Sequence, residues 1–334
     1  MDFSTIKGKL KLDSVPKDVI GIDFGACGTR IVRMVSNKAG VTVTQAWETD
    51  DELTDLTVLP RGVRSRACAL AVSHPEAVAK LLSIPRPANK LDDVPFAELL
   101  GVDNPMAFRM AMEIQDSSAN ETSALLVAIP LSLTEKTMGL FAQGFPAPQS
   151  LELSGLAALN GVMMTVPSCF ERSVILLELG ADTATVAITI PQKLAFLRQF
   201  RIGANPIMRK LRESLGMDDV TVREAVGGEM IDASEQVRVA FEPLMRQIAL
   251  GRDFVARRHN VRATRLYACG GLFQTPFWLQ PFANGLGVEA EAWNPFKAIP
   301  VSKGSVTKEQ IENGTRFAAA AGVALAVLKG GQTV

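Results

Sequence analysis

VIGIDFGACGTRIVRM, residues 19–34, is the stretch whose reading decides the fold. Apolar or small residues lead into Asp23, a run of small residues from Gly25 to Gly28 follows, and a second apolar strand begins at Thr29. The pattern predicts two strands joined by a tight turn. An acid that closes a buried strand either caps the turn or holds a ligand. A single copy favours the plain hairpin. The chain, however, carries a second copy, SVILLELGADTATVAIT at 173–189. Asp23 aligns with Glu178, and Gly25-Ala26 with Gly180-Ala181, all at a separation of 155 residues. A repeat of that length implies two related halves. Two facing hairpins with small turns can offer backbone N–H groups to a phosphate from both sides, and an acid at each strand end can hold Mg²⁺.

Other readings of the first hairpin fail on spacing. A dinucleotide fingerprint needs G-x-G-x-x-G opening a helix, whereas Gly21, Gly25 and Gly28 are followed by the strand-like TRIVRMV. A phosphate loop of the Walker type needs Gly-Lys-Ser/Thr, which is missing. Lys+Arg and Asp+Glu are both 35, so a chain of 334 residues carries no net charge and no electrostatic bias toward nucleic acid. The four cysteines are scattered and there are only two histidines, which argues against zinc. His74 and His259 read as structural or exposed. The longest uncharged apolar run, FAAAAGVALAVL at 317–328, is too short for a membrane span of about 20 residues. KGKLK at 7–11 reads as a solvated tail.

Strands are expected at 19–25, 29–35, 41–48 and 123–130, the last leading into a helix from Leu131. SLELSGLAALNGV at 150–162 reads as strand turning into helix, and the prolines at 85, 87, 95 and 105 break any long helix between. In LYACGGLFQTPFWLQPFANGLGVEAEAWNPF (266–296), a strand ends at Gly270-Gly271, where a flat group such as adenine could lie against the backbone. RFAAAAGVALAVL is an Ala-rich helix whose Gly322 permits close packing of another element.

These four pieces, in this order, carry a resemblance. VIGIDFGACGTRIVRM resembles the first phosphate motif of the actin, Hsp70 and sugar-kinase (ASKHA) superfamily, LLELGADTATVAI its second, YACGGL its adenosine motif and AAAAGVALA its second connecting helix. Within it the chain is similar to the PilM family of type IV pilus assembly proteins and their relative FtsA. LLSIPRP, the stretch 123–162 and FLRQFRIGANPIMRKLRESLG (196–216) extend the likeness over roughly residues 17–330. The resemblance implies an α/β, actin-like, ribonuclease H-like duplicated fold of two lobes with an FtsA-type inserted subdomain. Its parts would be a tail at 1–18, a first lobe at 19–168 with the insert at about 65–125, a second lobe at 169–310, and a C-terminal helix at 311–330 returning to the first lobe.

It also implies a cytoplasmic scaffold, held at the inner membrane by partners. Such a scaffold binds ATP and Mg and grips the cytoplasmic N-terminal peptide of a PilN-like membrane protein between the first lobe and the insert. Other inner-membrane platform components and self-association are further partners of this kind. The nucleotide-binding set carried over is Asp23, Gly25, Ala26, Cys27, Gly28, Thr29, Arg30, Glu178, Gly180, Ala181, Asp182, Thr183, Gly203, Gly270, Gly271 and Leu272, with Asp23 and Glu178 toward the metal. The chain departs from the family at Glu178, where Asp is usual, and at Ala26, Cys27 and Gly28, which lack side-chain donors. No catalytic acid is identified. Glu152 and Glu171 read as hairpin or surface residues, so weak or no ATPase activity is expected. A small-molecule kinase of the same superfamily and a GspL-like secretion component are the alternatives.

Overall fold

The computed structural model describes residues 15–144 and 146–330, and KGKLK lies outside them. Among the described residues thirteen strands form two mixed sheets. The first sheet holds β1 (Asp18–Gly25), β2 (Gly28–Asn37), β3 (Gly40–Thr49), β4 (Ala67–Val72) and β8 (Ala147–Leu153), in the order β3-β2-β1-β4-β8. The second holds β9 (Val174–Leu179), β10 (Ala184–Ile190), β11 (Lys193–Phe200), β12 (Arg265–Cys269) and β13 (Glu289–Ala292), in the order β13-β12-β9-β10-β11. In each, three antiparallel strands are followed by two parallel ones. The duplication read from two hairpins is therefore a duplication of whole sheets.

Beyond β11 the second sheet continues into β5 (Val78–Ile84), β7 (Thr122–Pro130) and β6 (Phe108–Ser117). β5 and β6 lie in the stretch expected as the insert, whereas β7 runs past its expected end at about 125; all three share a satellite core around Leu91, Phe96, Leu100 and Leu126. Their link to β11 is one bridge, Lys80 opposite Arg198. Ala67–Val72 falls within the 65–125 bounds but is a central strand of the first sheet, fully buried and flanked by β1 and β8. The residues that stand apart from that sheet start after it.

Strand alternation explains why both faces of each sheet are covered. Val19 of β1 enters the core between the sheets, while Ile20 and Ile22 pack on the outer side against Leu53, Leu59 and Phe141. Val174 and Leu176 of β9 likewise face the central core, and Ile175, Leu177 and Leu179 face the helices of the second half. Two helices, Ser154–Thr165 and Ala318–Leu328, fill the space between the sheets. They touch backbone to backbone. A Cβ on Gly322 would lie 1.8 Å from the Ala157 carbonyl oxygen, and one on Gly21 of β1 would lie 1.9 Å from that of Ala320. The expected close packing at Gly322 is present, and its partner is the other connecting helix. Among the described residues no helix is long and apolar enough to cross a membrane.

Candidate functional site

The ends of β1 and β9 meet across a cleft of about 370 Å³. Its walls include Asp23, Gly25, Ala26, Cys27, Gly28 and Arg30 from the first hairpin, and Glu178, Leu179, Gly180 and Ala181 from the second. Gly270, Gly271 and Leu272 close one side.

The Ser154–Thr165 helix enters between the two acids. Ser154 Oγ donates to Asp23 Oδ1 at 2.5 Å. A Cβ on the next residue, Gly155, would lie 1.9 Å from Thr185 Oγ1 and 3.1 Å from Glu178 Oε2, so only glycine lets the helix end so close to Glu178. The positive end of a helix thus sits at the paired carboxylates. Even so, burial dominates both. It raises Asp23 to about 6, against the opposing effects of Ser154 and Arg30. It raises Glu178, only 8% exposed, to about 8, with the neighbouring Asp23 charge as the second cause. Two buried carboxylates facing one cleft are a fitting place for a cation.

The first hairpin is braced from behind. Register places Asp23 opposite Arg30 and Arg30 opposite Glu48, one cross-strand row over β1, β2 and β3. Arg30 Nη1 donates to the Cys27 carbonyl and Nη2 to Asp50 Oδ1 at 2.8 Å, and its Nε lies 3.5 Å from Glu48 Oε2. Arg30 therefore ties down the Ala26-Cys27 turn. Gly28 has φ +99° and a Cβ there would strike the Thr49 carbonyl at 2.1 Å, so the turn needs glycine.

The second hairpin docks a helix. Gly180 N–H donates to the Thr183 carbonyl at 2.9 Å. The Gly180 and Ala181 carbonyls accept from Ala204 N–H at 2.9 Å and Asn205 N–H at 2.7 Å, the first residues of the Ala204–Leu215 helix. A Cβ on Gly203 would lie 2.3 Å from the Ala181 oxygen. Gly270, at φ +122°, passes over the Leu179 carbonyl, where a Cβ would lie at 2.2 Å.

Four residues of the expected set stand off the walls. Thr29, 2% exposed, lines a neighbouring cavity of about 360 Å³. Asp182 accepts from Asn205 Nδ2 at 3.0 Å, Thr183 supplies its carbonyl to the turn, and Gly203 precedes the docked helix. Conversely, the walls include Ser73, Ser154, Asn205, Arg223, Gln274, Thr315, Arg316, Ala318 and Ala319. Gly-Ala-Asn-Pro at 203–206 carries a helix-start signal that could have flagged Asn205. Ser154 reaches Asp23 from 131 residues away and carries no local signal.

Glu171 is exposed, as expected. Glu152 is half-buried at the end of β8, away from the cleft, and burial raises it to about 7 despite a hydrogen bond from Asn160; Glu113 on β6 adds to the rise. Three cysteines are buried and Cys27 is exposed. Among the described residues no three His, Cys, Asp or Glu side chains group as a metal site. Asp23 and Glu178 are two ligands at most, so a divalent ion there needs oxygens from a ligand or water.

No protein-family model matches the chain, and no curated protein matches it. Among solved structures, a chain of the PilM–PilN type IV pilus biogenesis complex superposes with a TM-score of 0.74 at 16% identity, covering 94% of this chain and 99% of that one. The ethanolamine utilization protein EutJ from Carboxydothermus hydrogenoformans follows at TM-score 0.48, 13% identity and 93% and 90% coverage. The activator of 2-hydroxyisocaproyl-CoA dehydratase from Clostridium difficile, solved with bound ADPNP, follows at 0.46, 9%, and 93% and 94%. The chain thus has the two-lobe, actin-like α/β fold, over nearly its whole length, in the form seen in the PilM–PilN complex.

Proposed function

We propose that the protein is a nucleotide-binding scaffold of type IV pilus assembly that takes the N-terminal peptide of a PilN-like inner-membrane protein. The observation that carries this reading is the cleft: two glycine-turned hairpins whose strand-end acids converge, on a fold that superposes over nearly its full length with a PilM–PilN chain. The residues present fit a magnesium nucleotide. The turns at Gly25–Gly28 and Gly180–Thr183 suit phosphate, Asp23 and Glu178 suit the ion, and Gly270-Gly271 leaves room for a flat base. Asp23 and Glu178 are the only acids on the cleft wall among the described residues. With both given to the ion, no third acid is left to position water, and slow or absent hydrolysis is expected.

The peptide has a separate place to go. Among the described residues the five-stranded sheet ends at β8, and the eight-stranded sheet ends at β6, each with one edge unpaired by another strand. Glu113 on β6 is near enough to Glu152 on β8 to raise it. Two free strand edges on one side suit an extended segment, which would add main-chain hydrogen bonds. Fluorescence anisotropy with a labelled N-terminal peptide of a PilN-like protein tests this. Saturable binding, weakened by a charge-reversing Glu113→Lys, is expected. A folded protein that leaves the peptide free contradicts the scaffold reading.

A further inference from the structure

Thr315 and Arg316 lie in the turn Gly314–Phe317 that leads into the Ala318–Leu328 helix, and neither is among the expected site residues. Both line the cleft. Thr315 is 3% exposed, and its Oγ1 is buried without a hydrogen-bond partner among the described residues. Leaving a hydroxyl so is costly, and buried polar groups normally find a partner. Its own backbone is fixed, because its carbonyl accepts from Gly270 N–H at 3.1 Å. The residue is therefore held beside the Gly270-Gly271 turn, and its hydroxyl has its hydrogen-bonding capacity unused.

Arg316 is anchored by an acid of β3. One of its terminal nitrogens pairs with Glu48, the same carboxylate that backs Arg30. Its Nε makes no hydrogen bond, and its side chain is one-quarter exposed. Arg30 gives its two terminal nitrogens to the Cys27 carbonyl and Asp50, so its guanidinium braces the turn, while its Nε, 3.5 Å from Glu48, makes no hydrogen bond. The turn residues Ala26, Cys27 and Gly28 bring no side-chain donors. The turn itself therefore offers an anion its backbone, while the cleft wall also carries the anchored guanidinium of Arg316 and the residue Thr315, whose hydroxyl is unpartnered.

We infer that Thr315 and Arg316 are ligand-binding residues of this cleft, Arg316 for the phosphate chain of a nucleotide and Thr315 for a polar atom of the same ligand. The inference rests on the nucleotide reading above. Guanidinium–phosphate contacts are charge-assisted and stronger than neutral ones. They would supply from the connecting segment what hydroxyls on the hairpin turn do not.

Calorimetric titration of the full chain with Mg-ATP, Mg-ADP and adenosine tests it, using Thr315→Val, which keeps shape, and Arg316→Gln, with thermal melting as the check on folding. Arg316→Gln is expected to weaken Mg-ATP about tenfold and adenosine hardly at all. Thr315→Val is expected to weaken Mg-ATP about fivefold with an unchanged melting temperature. Should either variant melt early, Arg316→Lys and Thr315→Ser replace it, with smaller losses in the same order. Wild-type binding that both variants retain in full overturns this inference and leaves the nucleotide reading standing. A loss for Arg316→Gln that is equal for ATP and adenosine overturns the phosphate assignment. A wild type that binds none of the three overturns both.

Discussion

Burial raises the acids Asp23 and Glu178, to about 6 and about 8. Each folded-state value lies above the ordinary one, so the folded protein keeps protons that the unfolded chain has lost. The contribution to stability is fully present below the ordinary values of 3.8 and 4.5, and is lost as pH rises through about 6 for Asp23 and about 8 for Glu178. Urea denaturation of the ligand-free protein is therefore expected to show stability falling between pH 5 and 8, with a flatter profile for Glu178→Gln. An unchanged slope in that variant contradicts the assignment. The pairing itself was legible, since Asp23 and Glu178 stand at equivalent points of a repeat. Ser154, Thr315 and Arg316 were not, because what brings them to the cleft is the packing of helices whose sequence neighbours lie far from either hairpin. Thr29 and Thr183 belong to the same hairpins, yet alternation and turn geometry turn them from the cleft.

At the scale of elements, the two connecting helices are where small residues do most. Ala318–Leu328 is buried throughout, and its Gly322 lies against Ala157 with no space for a methyl group. Since the neighbour is backbone, it cannot rotate away. Gly322→Ala is expected to destabilise by roughly 1–3 kcal/mol, read by chemical denaturation; a neutral effect would mean that the helices separate more easily than their packing indicates. The Ala-rich pattern announced this helix and its close approach. The insert was harder to read. Val78–Ile84 and Phe108–Ser117 are strands, but prolines crowd both ends of the first, and β6 is an exposed edge whose residues show no clean alternation. A strand with little buried face leaves little periodic trace. Nor does local sequence tell that β5 would reach β11 through Lys80 and Arg198, a contact 118 residues apart in the chain.

The whole molecule repeats one idea: a three-stranded antiparallel unit extended by two parallel strands, with a glycine-turned hairpin ending in an acid. The strand order and the connecting helices place the two hairpins face to face, and that placement makes a cleft from motifs that are weak alone. The overall architecture could be read because the motif order survives where individual residues depart, as at Glu178. The central claim is that this cleft holds a magnesium nucleotide through Asp23 and its partner hairpin. Titrating Mg-ATP into the wild type and into Asp23→Ala in a calorimeter tests it most directly. The account predicts saturable binding by the wild type and its loss in the variant, with both proteins folded. A folded wild type that gives neither heat nor thermal shift with Mg-ATP would contradict it, and the cleft would then be a remnant of the fold with no nucleotide to hold.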